Sequence, residues 1–373
     1  MPSTPPSLSA AEAVLRERFG LEAFRPGQRE VVGALLERGA ALAVFPTGGG
    51  KSLCYQLPAL LLEGVTVVIS PLIALMKDQI DALRHLGIDA ARLDSSLERE
   101  ESAEVERRLR DGTLRLLYVA PERFNNERFL ELLRRVKIAL FAVDEAHCIS
   151  EWGHNFRPDY LKLAGTAREL NAERVLALTA TATPAVARDI RAAFAIPPEC
   201  AVVTGFHRPN LFLSTLPTAA DERDAVLIDR IRGRPPGAGI VYVTLQKTAE
   251  RVAKVLEAAG IPARAYHAGM ETEERAQVQE WWKASDRAMV VATIAFGMGI
   301  DKADVRAVYH YNLPKGLESY SQEMGRAGRD GLPSVVEVLG GPEDVATLEN
   351  FAYGDTPSRE SLRALLSDLL SRP

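Results

Sequence analysis

Two short segments of this chain carry residue types at spacings that could do chemistry. The first is Pro46-Thr47-Gly48-Gly49-Gly50-Lys51-Ser52. Glycines let backbone N–H groups turn inward around a triphosphate, because a Cβ would block the turn or the approach. In such a loop Lys51 reaches the β- and γ-phosphates and the Ser52 hydroxyl holds Mg2+. The general pattern opens on glycine, whereas Phe45 stands at that position here. The second segment is Asp144-Glu145-Ala146-His147, at the end of an apolar run. There Asp144 is placed to hold the Mg2+ shell and Glu145 to orient or deprotonate an attacking water. His147 could sense the γ-phosphate. Alone, the first could be a glycine-rich turn and the second a solvated acidic turn. Together they point to hydrolysis of Mg2+-bound ATP.

The elements around these segments fit that chemistry. Uniformly apolar runs over 41–45, 65–70, 114–120, 138–143 and 175–179 read as buried strands. Helical patterns lie between them, with Ile73, Met76, Ile80 and Leu83 on one face. Ser9-Ala10-Ala11-Glu12 has capping-box spacing before an apolar-periodic stretch that Gly20 can close. A second alternation runs through 240–243, 247–259, 263–267, 289–293, 305–311 and 335–339. Strand–helix alternation implies parallel sheets with helices on both faces. The expected organisation is a disordered tail over 1–8, a first α/β domain over 9–205, a connector over 206–217, a second α/β domain over 218–345 and a helical extension over 346–373. In that extension Thr356-Pro357 gives a helix start, and Leu362, Leu365, Leu366 and Leu369 form an apolar stripe in need of a partner surface.

Length and composition agree. At roughly 150 residues per domain, 373 residues suggest two domains. With 47% hydrophobic and 25% charged residues the chain can build sizeable cores. No run approaches the ~20 apolar residues of a membrane-spanning helix, and the N-terminus lacks the pattern of a secretory signal. Cys54, Cys148 and Cys200 have no metal-ligand spacing, which suits free thiols in a reducing cytosol. The formal net charge of −5 speaks superficially against nucleic acid. Local donors can nevertheless hold a phosphate backbone while outer faces stay acidic.

From Phe19 to Pro333 the order of motifs resembles the helicase core of the RecQ family, in helicase superfamily 2. The resemblance implies two tandem RecA-like domains, each a mostly parallel sheet flanked by helices, plus a short C-terminal helix. Phe24-Arg25-Pro26-Gly27-Gln28 is similar to the family's adenine-reading motif, implying that Gln28 bonds the adenine edge and Arg25 lies against the ring. Phe45 before the phosphate loop is a feature of the family form. The stretch from Cys148 to Tyr160 resembles the family's aromatic-rich loop, with Trp152, His154, Phe156 and Arg157 set to meet single-stranded DNA. Aromatic faces can stack on unpaired bases and arginine adds charge. Ser70-Pro71-Leu72, Lys77-Asp78-Gln79 and Pro121-Glu122-Arg123 resemble strand-contacting motifs, which position without reading sequence. Leu178-Thr179-Ala180-Thr181 resembles the coupling motif, whose hydroxyls can bridge the carboxylates to the DNA side.

In the second half Tyr266-His267-Ala268-Gly269-Met270 and the stretch from Thr293 to Lys302 resemble further family motifs. The resemblance places Thr293 on a backbone phosphate and Asp301 on the nucleotide ribose; Gly297 and Gly299 also suit a tight turn. Gln322-Glu323-Met324-Gly325-Arg326-Ala327-Gly328-Arg329 resembles the arginine-finger motif, with Arg329 the finger and Arg326 a phosphate or inter-domain contact. The implied activity is ATP-dependent 3′-to-5′ translocation on single-stranded DNA with duplex unwinding, Mg2+-ATP being hydrolysed at the inter-domain cleft. The implied partners are single-stranded and tailed duplex DNA, met by a monomer of the cytoplasm and nucleoid. Family members commonly continue into a four-cysteine zinc module and a winged helix. No cysteine follows Cys200, so no zinc site is expected, whether the chain is a natural variant or a core cut from a longer protein. Competing readings are an RNA-remodelling ATPase of the same superfamily and a catalytically silent nucleic-acid scaffold. A small-molecule kinase has no need of the second domain.

Overall fold

A computed structural model describes residues 6–71, 73–94, 97–150, 157–205, 207–297 and 302–353, with 359–360, 363–364 and 367–368 in the tail. The described residues divide into two compact units, the chain passing from one to the other between Arg208 and Pro209.

The first unit is built on a seven-stranded sheet. Its strands are β1 (Ala40–Val44), β2 (Val65–Ile69), β3 (Ala90–Leu93), β4 (Leu116–Val119), β5 (Ile138–Val143), β6 (Val175–Thr179) and β7 (Ala201–Val203). Their order is β3-β4-β2-β5-β6-β1-β7 and every pairing is parallel. Period-2 alternation sends Leu42 and Val44 into a core on one face and Ala41, Ala43 and Phe45 into a core on the other. With both faces covered, the central strands are apolar at nearly every position, which is why they were legible as continuous runs.

The second unit carries a six-stranded parallel sheet. It comprises β8 (Leu211–Thr215), β9 (Gly239–Tyr242), β10 (Ala263–Tyr266), β11 (Met289–Ala292), β12 (Ala307–His310) and β13 (Ser334–Val338) in the order β10-β11-β9-β12-β13-β8. One of its cores gathers Val241, Val291, Tyr309 and Leu256. Two α/β units with parallel sheets and flanking helices are the fold class expected.

Several boundaries move. The first helix is Leu8–Phe19, capped by Ser7, whose side chain accepts from the Ala10 N–H. The expected cap at Ser9 therefore fails, and residues 7 and 8 belong to the helix rather than to a tail. Glu12 is drawn instead to Arg29, 3.0 Å away. Gly20 closes the helix in the left-handed region as expected, at φ 65°. The connector expected over 206–217 contains β8, which pairs with β13 from Leu211↔Ser334 to Thr215↔Val338. Only one side of β8 is paired and four of its five residues are exposed, so it lacked the apolar run of a buried strand. Asn210 pins its start by donating to the Gly328 and Leu332 carbonyls at 2.9 Å. The helix Asp344–Tyr353 begins two residues ahead of the expected extension. The leucine stripe of the tail lies outside the described residues.

Candidate active site

In the first unit the phosphate loop, Ser70, the carboxylates and Thr179 lie at the carboxyl ends of strands, the edge at which parallel sheets bind ligands. Those four strands are consecutive in space, β2-β5-β6-β1. The sheet order thus sets Ser70, Asp144, Thr179 and the phosphate loop side by side.

The phosphate loop leaves β1 through Phe45. Gly48 and Gly50 adopt φ of 81° and 75°, which L side chains rarely take. A Cβ on Gly49 would come within 2.9 Å of the Pro46 carbonyl. Phe45 is buried, and its ring packs where a Cβ on Gly27 would sit 2.8 Å away. The bulky residue at the pattern's glycine position thereby joins the loop to the Arg25–Gln28 segment. Gln28, also buried, accepts from the Arg25 N–H at 2.8 Å and donates to the Gly50 carbonyl at 2.9 Å. The Arg25 guanidinium donates to the Gly48 carbonyl at 2.9 Å. Both residues expected at the adenine are tied to the phosphate loop itself. Lys51 Nζ lies 3.3 Å from the Phe45 carbonyl. Ser52 precedes the helix Leu53–Leu61 without a side-chain cap bond, and the helix N-terminus adds partial positive charge beside it. Thr47 is half-buried in the same loop.

Asp144 follows β5, its N–H bonded to the Ile69 carbonyl of β2 at 2.8 Å. Burial raises its carboxyl above the ordinary range, against the pull of Lys51 and of the Glu145 N–H, which donates to Oδ1 at 3.0 Å. A shielded carboxylate beside one lysine and a helix-start hydroxyl fits Mg2+, with Asp144 and Ser52 the residues that would hold it. Glu145 takes φ 51° and ψ 41°, left-handed backbone that a non-glycine residue holds only when its surroundings enforce it. That turn swings Glu145 toward His147: Oε2 lies 3.3 Å from His147 Nδ1. The same nitrogen is 2.8 Å from Thr179 Oγ1. Thr179 in turn donates to the Thr181 carbonyl at 2.9 Å and accepts from the Thr181 N–H at 3.2 Å. The hydroxyl's one proton is thus spent on Thr181, leaving its oxygen to face His147, while Glu145 Oε2 lies in ion-pair range of the same ring nitrogen without a hydrogen bond to it. The resulting relay, Glu145–His147–Thr179–Thr181, joins the carboxylate box to the expected coupling segment.

Ser70 is buried at the end of β2, its N–H bonded to the Val119 carbonyl at 3.1 Å. Arg157 is half-buried, precedes the helix Pro158–Glu169 and donates its N–H to the Cys148 carbonyl. Tyr160 of that helix donates to the Asp144 carbonyl at 3.1 Å, fixing the turn at Asp144 from behind. Trp152, His154, Phe156 and Asp301 lie outside the described residues. Gln79, expected among strand contacts, turns inward instead and accepts from Gln56 Nε2 at 2.7 Å. Gln56 sits on the phosphate-loop helix and Gln79 on the helix Ile73–His85. Tyr55 and Tyr118 pack edge-on beside them, 6.2 Å between centroids. Sequence reading missed this polar seam, because Gln56 stands in an otherwise apolar helix with no motif around it.

In the second unit His267 and Thr293 follow adjacent strands β10 and β11, with the Thr293 N–H bonded to the Tyr266 carbonyl at 3.2 Å. His267 is buried, its Nε2 3.2 Å from Glu250. Gly297 permits close packing, since a Cβ there would meet the Ile294 carbonyl at 2.7 Å. Arg326 is buried beside Tyr242, whose phenol burial pushes up to about 12 while Arg326 pulls it down. His310 stacks on Tyr242 at 5.7 Å and bonds Glu323 at 2.8 Å. This buried trio seats the arginine segment against β9 and β12. Glu323 lies inside the arginine motif, but no motif flags Tyr242 or His310, which read as strand core. Arg329 is half-buried one turn farther on.

A family model described as DEAD/DEAH box helicase matches residues 25–190, and one described as helicase conserved C-terminal domain matches 222–331. The ATP-dependent DNA helicase RecQ of Bacillus subtilis (strain 168) is 44% identical over 340 residues, 91% of this chain and 57% of that protein. The protein of the same name from Pasteurella multocida (strain Pm70) is 44% identical over 357 residues, 95% of this chain and 56% of its own. The ATP-dependent DNA helicase Q1 of Rattus norvegicus is 40% identical over 95% of this chain and 59% of its length. The chain thus spans little more than half the length of these relatives. Among solved structures, Mycobacterium smegmatis helicase Lhr bound to ssDNA and AMP-PNP superposes with a TM-score of 0.69 at 23% identity, over 92% of this chain and 50% of that one. The DUF1998 helicase MrfA bound to DNA gives 0.71 at 18%, over 96% and 51%. At such identities the likeness speaks for the fold alone. Motifs in order, two matched helicase domains and relatives at this level of identity place the chain in the RecQ family of DEAD/DEAH box helicases, as its two-unit helicase core.

Proposed function

We propose that this chain hydrolyses Mg2+-ATP and spends the cycle on 3′-to-5′ movement along single-stranded DNA, separating duplex ahead of it. The observation that carries this reading is the relay from Glu145 through His147 to Thr179 and Thr181. A simple triphosphatase needs a positioned acid but no wire leading away from it. In the proposed cycle the phosphate-loop amides, Lys51 and Ser52 hold the triphosphate, and Gln28 and Arg25 close over the adenine. Ser52 and Asp144 would hold Mg2+, which would supply neutralisation of the phosphate charge. Glu145 orients the attacking water and takes its proton. Arg329, with Arg326 behind it, meets the charge developing on the γ-phosphoryl from the second unit. Trp152, His154, Phe156, Arg157, Ser70, His267 and Thr293 contact the strand, and Asp301 the ribose. The polarity follows from the RecQ resemblance. The activity is assigned to a monomer in the cytoplasm and nucleoid.

ATP turnover measured with single-stranded DNA, with single-stranded RNA and with neither tests the reading. Stimulation by DNA well above RNA is expected, and Lys51→Ala is expected to cut turnover by at least about a hundredfold, in the range of lost electrostatic stabilisation. Stimulation by RNA alone would favour an RNA remodeller. Absence of turnover with DNA still bound would favour a scaffold. A tailed duplex with 3′ or 5′ single strand then reads direction.

A further inference from the structure

Along the amino-terminal edge of the second sheet, opposite the ends that bear His267 and Thr293, runs an open groove of about 500 Å3. Its walls reach from Phe212 on β8 to Met289 on β11. In the sheet order those strands are four steps apart, about 19 Å, the span of about six extended residues. The walls are largely apolar, Phe212 being 62% exposed. Four arginines and no acid line it among the described residues. Two of the four are already matched: Arg234 donates to Glu337 at 2.9 Å and Arg306 to Asp330 at 2.6 Å. The other two are exposed, Arg232 donating only to the neutral Ala259 carbonyl and Arg287 making no described ion pair. An acidic chain thus presents, on one face, an apolar trough with uncompensated positive charge.

We propose that this groove docks an extended segment of a partner protein that alternates carboxylates with large apolar side chains. The apolar side chains fill the trough against Phe212 and Ile231, and the carboxylates meet Arg232 and Arg287. Nucleic acid fits it less well. Pro235, Pro236, Pro262 and Pro333 supply wall without N–H donors, whereas a phosphate track is rich in them. The groove lies away from the catalytic motifs, so docking recruits the motor without touching its chemistry.

The test is fluorescence anisotropy with a labelled peptide of about six residues alternating aspartate with leucine and phenylalanine, the length that the strand spacing sets. Comparison peptides carry asparagine for aspartate or serine for the apolar residues. Binding by the first peptide, weakened in both comparisons, is expected. The double variant R232E/R287E should weaken it about tenfold or more, with DNA-free ATP turnover unchanged as evidence of folding. Equal binding of all three peptides, or no effect of the double variant, overturns the proposal. So does loss of single-stranded DNA binding in that variant, which would make the groove a nucleic-acid track.

Discussion

Thr179 shows how much one hydroxyl can decide. It lies on β6, between the phosphate-loop strand and the carboxylate strand, and holds His147 at 2.8 Å. Thr179→Val keeps the shape and removes the hydroxyl together with its contact to His147. Losing one buried hydrogen bond costs about 1–3 kcal/mol. DNA-stimulated kcat should therefore fall about tenfold or more, while KM for ATP stays near its original value. Steady-state kinetics with and without DNA read the split. Unchanged stimulation would mean that the relay is architecture only. The motif around Thr179 was legible in the sequence, as were Lys51, Asp144 and Arg326. The partner of each hydroxyl was not, because neighbours in space come from different strands.

At the scale of elements, two contacts hold functional segments in place. The Gln56–Gln79 amide pair joins the helix behind the phosphate loop to the helix that follows Ser70. Gln56→Leu should cost about 1 kcal/mol of stability and leave basal turnover nearly intact. It should reduce stimulation by DNA, because movement at one helix no longer reaches the other. Equal loss of basal and stimulated turnover would assign the pair a purely structural part. In the second unit buried Arg223, first residue of the helix Arg223–Arg232, reaches Asp344 at 2.9 Å and the Thr218 carbonyl at 2.9 Å, tying the helix Asp344–Tyr353 to that helix and to the segment after β8. Breaking a buried pair leaves a charge uncompensated, so Arg223→Met should destabilise by about 3 kcal/mol, read in denaturant melts. The strands that went unread were β3, β7 and β8, edges of their sheets. β7 and β8 bury little and in β3 the charged Arg92 interrupts the run, so none shows the continuous apolar stretch by which β2 or β5 declares itself.

For the whole molecule, separate hydrophobic cores imply two unfolding events in scanning calorimetry. AMP-PNP with Mg2+ at about a hundredfold excess over Kd should add about 2.7 kcal/mol to the unit that binds it. For a unit of this size that raises Tm by about 5–10 °C. The shift should be confined to one transition and vanish in Lys51→Ala. A shift that survives the substitution would place nucleotide elsewhere. At this scale the sequence pointed correctly to two parallel α/β units and misjudged where one gives way to the other. Residues 209–217 looked like a connector because an exposed edge strand and a linker have similar composition.

By itself, then, the sequence determined the class of fold and the motifs on which the proposed chemistry rests. Glycines with positive φ, a lysine and paired acids at strand ends are local requirements, written in residue type and spacing. Doubly covered strands are likewise written as apolar runs. Only the tertiary structure decided which groups touch: Glu145 turned by left-handed backbone onto His147, Phe45 set into the space that Gly27 leaves open, Gln79 turned inward to Gln56, and β8 added to the second sheet. Those contacts depend on the spatial order of strands far apart in the chain. A buried polar group takes whichever partner that order brings within reach, and residue spacing does not record it.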